Sequence, residues 1–433
     1  LENSPQFRLP PDYPERRVLA DEVHARPYAE LETPERASYL AVLVEPEARG
    51  RELAHLRALC VAAGVPPPEG RGGHFSASFG AYRLKWERHG EFSSYTVFAH
   101  GSSPRPFSEP ALGRLPAEWL AEIPGSTLIA AHAELAAADE GGAQPDLLTA
   151  HFGNNVVAGS EIGEGAGLAF TDFKIGGDGF VRFLVMDRGF SRRQAGRMLQ
   201  RLFEIEAYRV LALLALPVAR REAAGVVETE RVLRTLTDAI ARGGQADESL
   251  LAGLSALAAQ VENTLAATQY RFGASRAYYD LVQARIAELR ERRLAGVQTL
   301  EEFMARRLAP AMATCESTAR RLRELSERVA RATGLLSTRV SIARERQNQA
   351  LLASMDRRAR VQLRLQQTVE GLSVVAITYY VVGLVAYAAK ALEAGGIALD
   401  PNLAAGLSIP AVAALVALGV WRVRRRLAAA SDV

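Results

Sequence analysis

The chain has 433 residues, 48% hydrophobic, 23% charged and 7% aromatic, with 52 Lys+Arg against 49 Asp+Glu and a formal net charge of +3. At a mean hydropathy of −0.01 this composition excludes a disordered or low-complexity chain. A charge so near balance also excludes a nucleic-acid binder driven by bulk positive potential, even at a sequence pI of ≈ 8.9. Cys60 and Cys315 are the only cysteines, too few for a disulfide framework or a cysteine-based zinc site.

Residues Leu1 to Leu19 carry Pro5, Pro10, Pro11 and Pro14 among charges and lack an apolar core, so no cleavable signal peptide is expected there. From about Arg36 to Asp187 strand-like runs alternate with turns: Ala37 to Val44, Phe79 to Trp86, Tyr95 to Ala99, Thr127 to Ala131, Asn155 to Ala158, Leu168 to Phe173 and Phe180 to Met186. A helix is expected from Glu47 to Ala63, started by Pro46. Phe79 to Trp86 and Phe92 to Phe98 form an expected hairpin with Gly90 in its turn. These features predict an α/β or α+β domain over residues 1–190.

Beyond Gly189 the period becomes helical. Ser191 is a good N-cap, and breaks are expected near Pro217, at Gly243-Gly244 and near Pro310, which gives a helical domain over 191–310. No proline occurs from Ala311 to Arg364, where Leu322, Leu325, Val329, Leu336, Val340, Ala343 and Leu351 recur mostly at three- and four-residue steps. This predicts a long packed stalk helix over 311–370, coiled-coil-like in character.

Gly371 to Ala389 and Leu403 to Trp421 are free of charge and each is about the roughly 20 residues needed to cross a bilayer. Arg357, Arg358, Arg360 and Arg364 precede the first segment and Arg422, Arg424, Arg425 and Arg426 follow the second, while the link between them has no such excess. The positive-inside rule then predicts two transmembrane helices at 371–389 and 403–421, an outer link at 390–402 and a basic cytoplasmic tail at 422–433. Both termini are expected in the cytoplasm. A helix unbroken from Ala311 to Ala389 would be on the order of 120 Å long, and such a rod needs preceding helices or copies of itself to pack against.

Candidate chemistry is sparse. All seven histidines (His24, His55, His74, His89, His100, His132 and His151) fall in the first 151 residues without metal-ligand spacing, so their metal role stays unknown. Asp21, Glu22, His24 and Arg26 cluster before Pro27, a group suited either to acid–base work and anion binding or to locking an N-terminal arm onto the domain. The glycines of 159–167 and 176–179 match no nucleotide-binding pattern and read as turns. In the first span Ser373, Thr378 (or Tyr380), Gly383 and Tyr387 share one expected face, with Lys390 just beyond, suited to a pore in a ring of subunits or to helix packing. Neither span contains a carboxylate, which disfavours a proton-coupled carrier.

The segments Asp21 to Pro27, Lys85-Trp86-Glu87-Arg88-His89, Gln194-Ala195-Gly196-Arg197 and Gln366 to Ser373 give the chain a resemblance, along nearly its whole length, to an uncharacterised family of bacterial membrane-anchored proteins. The chain also resembles, in architecture, CorA-type divalent-cation channels, in which an N-terminal α/β domain precedes a long helix, a first span, a short outer link and a second span with a basic end. CorA-type channels close their first span with Tyr-Gly-Met-Asn; Tyr387-Ala388-Ala389-Lys390 stands here, and a ring of lysines would repel divalent cations.

The fold expected is therefore an α/β N-terminal domain, long stalk helices and a C-terminal two-helix transmembrane hairpin. The CorA resemblance implies a homo-oligomer, as a pentamer, in the bacterial inner membrane, with an ion channel or transporter role. The expected partners are the lipid bilayer, copies of the same chain and ions, with no nucleic acid and no cofactor. A non-conducting membrane-anchored binding or scaffold protein is the alternative, and an enzyme centred on His24 and Arg26 ranks third.

Overall fold

The computed structural model describes residues 10–17, 19–20, 27–68, 73–138, 145–243, 245–396 and 400–431. The chain divides into two compact units, residues 1–333 and 334–433, each considered by itself.

In the first unit the strands are β1 (Glu35–Leu43), β2 (His74–Ser78), β3 (Arg83–Arg88), β4 (Phe92–His100), β5 (Ser126–Ala137), β6 (Ala158–Ile162), β7 (Gly167–Thr171), β8 (Val181–Asp187) and the two-residue β9 (Arg292–Arg293). They form one sheet in the order β2-β3-β4-β1-β5-β8-β7-β6-β9. All its pairs are antiparallel except β5 with β8. The sheet carries helices α1 (Arg49–Ala62), α2 (Ala117–Ala121) and α3 (Pro145–Phe152) between its strands, and the long helices follow it: α4 (Arg192–Leu213), α5 (Ala215–Arg242), α6 (Asp247–Leu289), α7 (Leu300–Arg307), α8 (Ala309–Ala394) and α9 (Pro401–Ser431).

Alternation along the strands sends two sets of side chains to opposite faces. Leu40, Val42, Leu84, Trp86, Tyr95 and Val97 pack with Leu56 and Leu59 of α1. Tyr39, Phe92, Phe98, Ala131 and Phe183 pack with Met198, Leu199, Leu202 and Phe203 of α4, and Val282 and Ile286 of α6 join them. Both faces of the sheet are thus covered.

Several boundaries differ from expectation. The expected strand at Phe79 to Trp86 straddles a turn: Phe79 N–H donates to the Tyr82 carbonyl at 2.8 Å, Gly80 sits at φ 78°, and the two rings stack at 5.0 Å. The true strand before it is β2, whose polar residues hid it. Of the expected Asn155 to Ala158 strand only Ala158 belongs to β6. The helix break expected near Pro217 falls at Leu214, and Pro217 occupies the first turn of α5, where a missing N–H costs little. Gly243 ends α5 at φ 69° as a residue without Cβ can. Ser191 caps α4 by accepting from Gln194 N. The turn glycines Gly163 and Gly165 lie between β6 and β7, and Gly179 lies ahead of β8, all at positive φ.

Among the described residues three helical stretches, Asp247–Leu289, Leu300–Ala394 and Pro401–Val423, are long and apolar enough to cross a membrane by length and composition. The first has its apolar residues Leu254, Val261, Val282 and Leu289 buried inside its unit. Between residues 371 and 421 many large apolar side chains face outward, among them Leu372, Val375, Leu384, Leu407, Leu415 and Trp421. The stalk residues Leu322, Leu325, Val329, Leu336 and Val340 are buried, whereas Ala343 and Leu351 are exposed.

Candidate functional site

One end of the sheet breaks its own pattern. On the α4 side of β3 and β4, where neighbouring strands place apolar residues, the chain places Lys85, Glu87, Ser94 and Thr96, each 7% exposed or less. Their register pairs Lys85 with Thr96 and Glu87 with Ser94 across the strands, so the four form a polar square. Buried polar groups in a core cost free energy unless each finds partners.

The partners come from α4. Lys85 Nζ donates to Gln200 Oε1 at 3.0 Å and pairs with Glu87 Oε1 at 3.1 Å. Gln200 Nε2 donates to Glu204 Oε1 at 2.7 Å. Arg201 Nη1 donates to Glu204 Oε2 at 3.1 Å, and Arg285 of α6 reaches both Glu204 and, at 2.7 Å, Glu288. A connected network therefore runs from the sheet through α4 to α6.

Above the square lies a cavity of about 220 Å³. Its floor is the square and its walls are Tyr39, Phe92, Phe98, Leu199, Phe203 and Tyr208, with Tyr28, His89, Arg201 and Arg285 also lining it. Tyr39 stacks on Phe203 at 5.0 Å. Burial holds the Tyr39 hydroxyl well above the usual phenol range, and burial together with the Glu204 carboxylate pushes Tyr208 up to about 12, so both stay protonated donors at neutral pH.

The N-terminal arm crosses α4 here because Gly196 allows it. A Cβ at Gly196 would come within 1.6 Å of the Ala29 carbonyl oxygen, so only glycine lets Tyr28 and Ala29 reach the cavity. Arg201 donates to the Tyr28 hydroxyl and stacks over its ring at 5.0 Å. Two of the segments that carry the family resemblance, Lys85 to His89 and Gln194 to Arg197, thus meet at one cavity. A third ends at Pro27, next in sequence to Tyr28, but Asp21, Glu22, His24 and Arg26 lie outside the described residues.

The candidate pore residues lie on α8. Ser373, Tyr380 and Tyr387 recur every seven residues, and Gly383 and Lys390 follow at the same interval, so these five share one side of the helix. Tyr380, Gly383, Tyr387 and Lys390 line one groove. Thr378 lies about 140° around from Ser373 at 3.6 residues per turn, and its hydroxyl donates to the Val374 carbonyl at 2.7 Å. Ser373 likewise donates to the Val369 carbonyl at 2.9 Å. Among the described residues no group of three or more His, Cys, Asp or Glu side chains is placed to hold a metal ion.

Sequence reasoning missed Tyr39, Ser94, Thr96, Gln200, Glu204 and Arg285. Alternating Lys85-Trp86-Glu87 reads as a strand with its polar side in water, and only the helix on that side turns those residues into cavity floor.

An N-terminal α/β sheet domain followed by long helices and a C-terminal helix defines the class. The chain matches, over residues 11–427, the family described as a protein of unknown function, DUF3422, and belongs to that family. No curated protein and no solved structure matches it.

Proposed function

We propose that the chain is a membrane-anchored homo-oligomer of CorA-like organisation that conducts ions between its first spans. In this reading the sheet domain and both termini are cytoplasmic, and residues 371–389 and 403–421 cross the bacterial inner membrane as a hairpin.

The observation that supports it is the heptad stripe on α8. Ser373, Tyr380, Gly383, Tyr387 and Lys390 occupy one side of the last part of α8, where Val375 and Ile377 are apolar and exposed. In lipid, hydroxyls and an ammonium gathered on one stripe are stabilised by facing like stripes and water rather than acyl chains. A strict seven-residue repeat suits identical parallel helices around an axis. The pentamer is what the CorA resemblance supplies. Lys390, at the outer end of the stripe, sets a ring of positive charge at the mouth, which disfavours divalent cations by Coulomb repulsion.

Flux assays on the purified protein in liposomes test this reading. The expected result is passage of monovalent ions with magnesium excluded, and Lys390→Asn is expected to raise cation flux relative to anion flux. Absence of any flux, cationic or anionic, overturns conduction and leaves the non-conducting anchor.

A further inference from the structure

The cavity over β3 and β4 is not used by conduction, and it stands whether or not the spans conduct. A structural role alone would be met by apolar residues, since a buried ion pair is often no better for stability than well-packed hydrophobes of similar volume. Four buried polar residues side by side on β3 and β4, opening on a cavity, mark a place where sequence-level consistency yields to binding. Lysine also stands here against the habit of the chain, which uses it only at Lys85, Lys174 and Lys390 among 52 Lys+Arg residues.

The charges define the ligand. Lys85, Arg201 and Arg285 are set against Glu87, Glu204 and Glu288 in one bonded network, so the wall is balanced and a ligand of net charge would unbalance it. Lys85 and Glu87 approach to 3.1 Å. The ammonium nitrogen and carboxylate oxygens of an α-amino acid are separated by about 3 Å through two carbons of standard geometry. Such a ligand lies antiparallel on the pair, its carboxylate on the third proton of the Lys85 ammonium and its ammonium on the second carboxylate oxygen of Glu87. Its side chain then points at Tyr39, Phe203 and Tyr208.

We propose that the cavity formed by Lys85, Glu87, Ser94 and Thr96 with α4 binds a free α-amino acid with an apolar or aromatic side chain.

Calorimetric titration of the full-length protein in detergent with L-leucine and L-phenylalanine tests it, alongside N-acetyl-leucine and leucinamide, each of which lacks one charge. The zwitterions are expected to bind, and each derivative to bind at least about tenfold more weakly because it brings a net charge that the balanced wall does not offset. Lys85→Met and Glu87→Gln are expected to abolish binding with the thermal transition retained. If either variant fails to fold, the comparison of zwitterion with derivatives on the unaltered protein still decides. No heat with either amino acid at millimolar concentration, equal affinity for the derivatives, or binding that survives in a folded Lys85→Met variant overturns the proposal.

Discussion

At the residue scale, His132 shows how burial writes a pH dependence into the fold. It lies on β5, 4% exposed, stacked on Phe180 with centroids 3.8 Å apart and with Nδ1 2.9 Å from Ser38 Oγ. Desolvation lowers its pKa from 6.5 to about 4, although Asp178 and Glu134 pull the other way. The unfolded imidazole takes up a proton near 6.5 while the folded one stays neutral until about 4, so falling pH favours the unfolded state across that window. Stability from this group is complete above 6.5 and declines by about 2 kcal/mol at pH 5, and by about 3 kcal/mol once pH falls below 4. His132→Gln is expected to flatten the thermal-stability profile between pH 7 and 5 by that amount. A profile as steep as that of the unaltered protein would assign the dependence to other groups.

At the element scale, α1 is fastened to the sheet through a carboxylate that its sequence gives no reason to bury. Glu52 has 0% exposure and accepts from Trp86 Nε1 at 3.0 Å, Tyr95 hydroxyl at 3.1 Å and Arg88 Nη2 at 3.0 Å. Arg88 also lies over the Trp86 ring at 4.9 Å. Removing the carboxylate takes the shared acceptor from Trp86, Tyr95 and Arg88 and breaks a buried ion pair, so Glu52→Ala is expected to cost roughly 3–5 kcal/mol, read as a large fall in the thermal midpoint. Pairing Glu52→Leu with Arg88→Met is expected to recover much of that loss; no recovery would mean that packing rather than charge sets the cost. The same helix marks what was legible in advance. Pro46 at its start made its position readable, as alternation did for β1, β4, β7 and β8. Pairings between distant segments were not readable, since nothing local in Ser126–Ala137 or Val181–Asp187 says that they run parallel side by side. Nor does anything in Arg292-Arg293 announce an edge strand, which forms where Glu291 accepts from Leu300 N and Glu301 N at 3.0 Å. The cavity was hidden for the same reason: Lys85 and Glu87 become its floor through α4, over a hundred residues later in the chain.

At the scale of the whole molecule, the second unit poses a solvation problem that one chain in water does not solve. Leu372, Val375, Tyr379, Tyr380, Leu384 and Tyr387 on α8 and Leu403, Leu407, Leu415 and Trp421 on α9 are all at least half exposed. At roughly 25 cal/mol per Å² of apolar surface, a bilayer or neighbouring copies recover free energy that water withholds. The two media differ in what they ask of each helix side. Lipid accepts Val375, on the far side of the helix, but disfavours a stripe of Ser373, Tyr380, Tyr387 and Lys390, which copies placed around an axis would turn toward one another. Position around the helix therefore separates an oligomer centred on α8 from a monomer held by two greasy anchors. With Cys60 and Cys315 both buried, single cysteines introduced on α8 report with little background. Ser373→Cys, Tyr380→Cys and Tyr387→Cys, each treated with a short bismaleimide in native membranes, are expected to give cross-linked oligomers on denaturing gels, while Thr378→Cys, about 140° away from Ser373, gives few. Cross-linking that is uniform around the helix, or absent at all three heptad positions, would remove the shared seam and with it the path along which ions are proposed to pass.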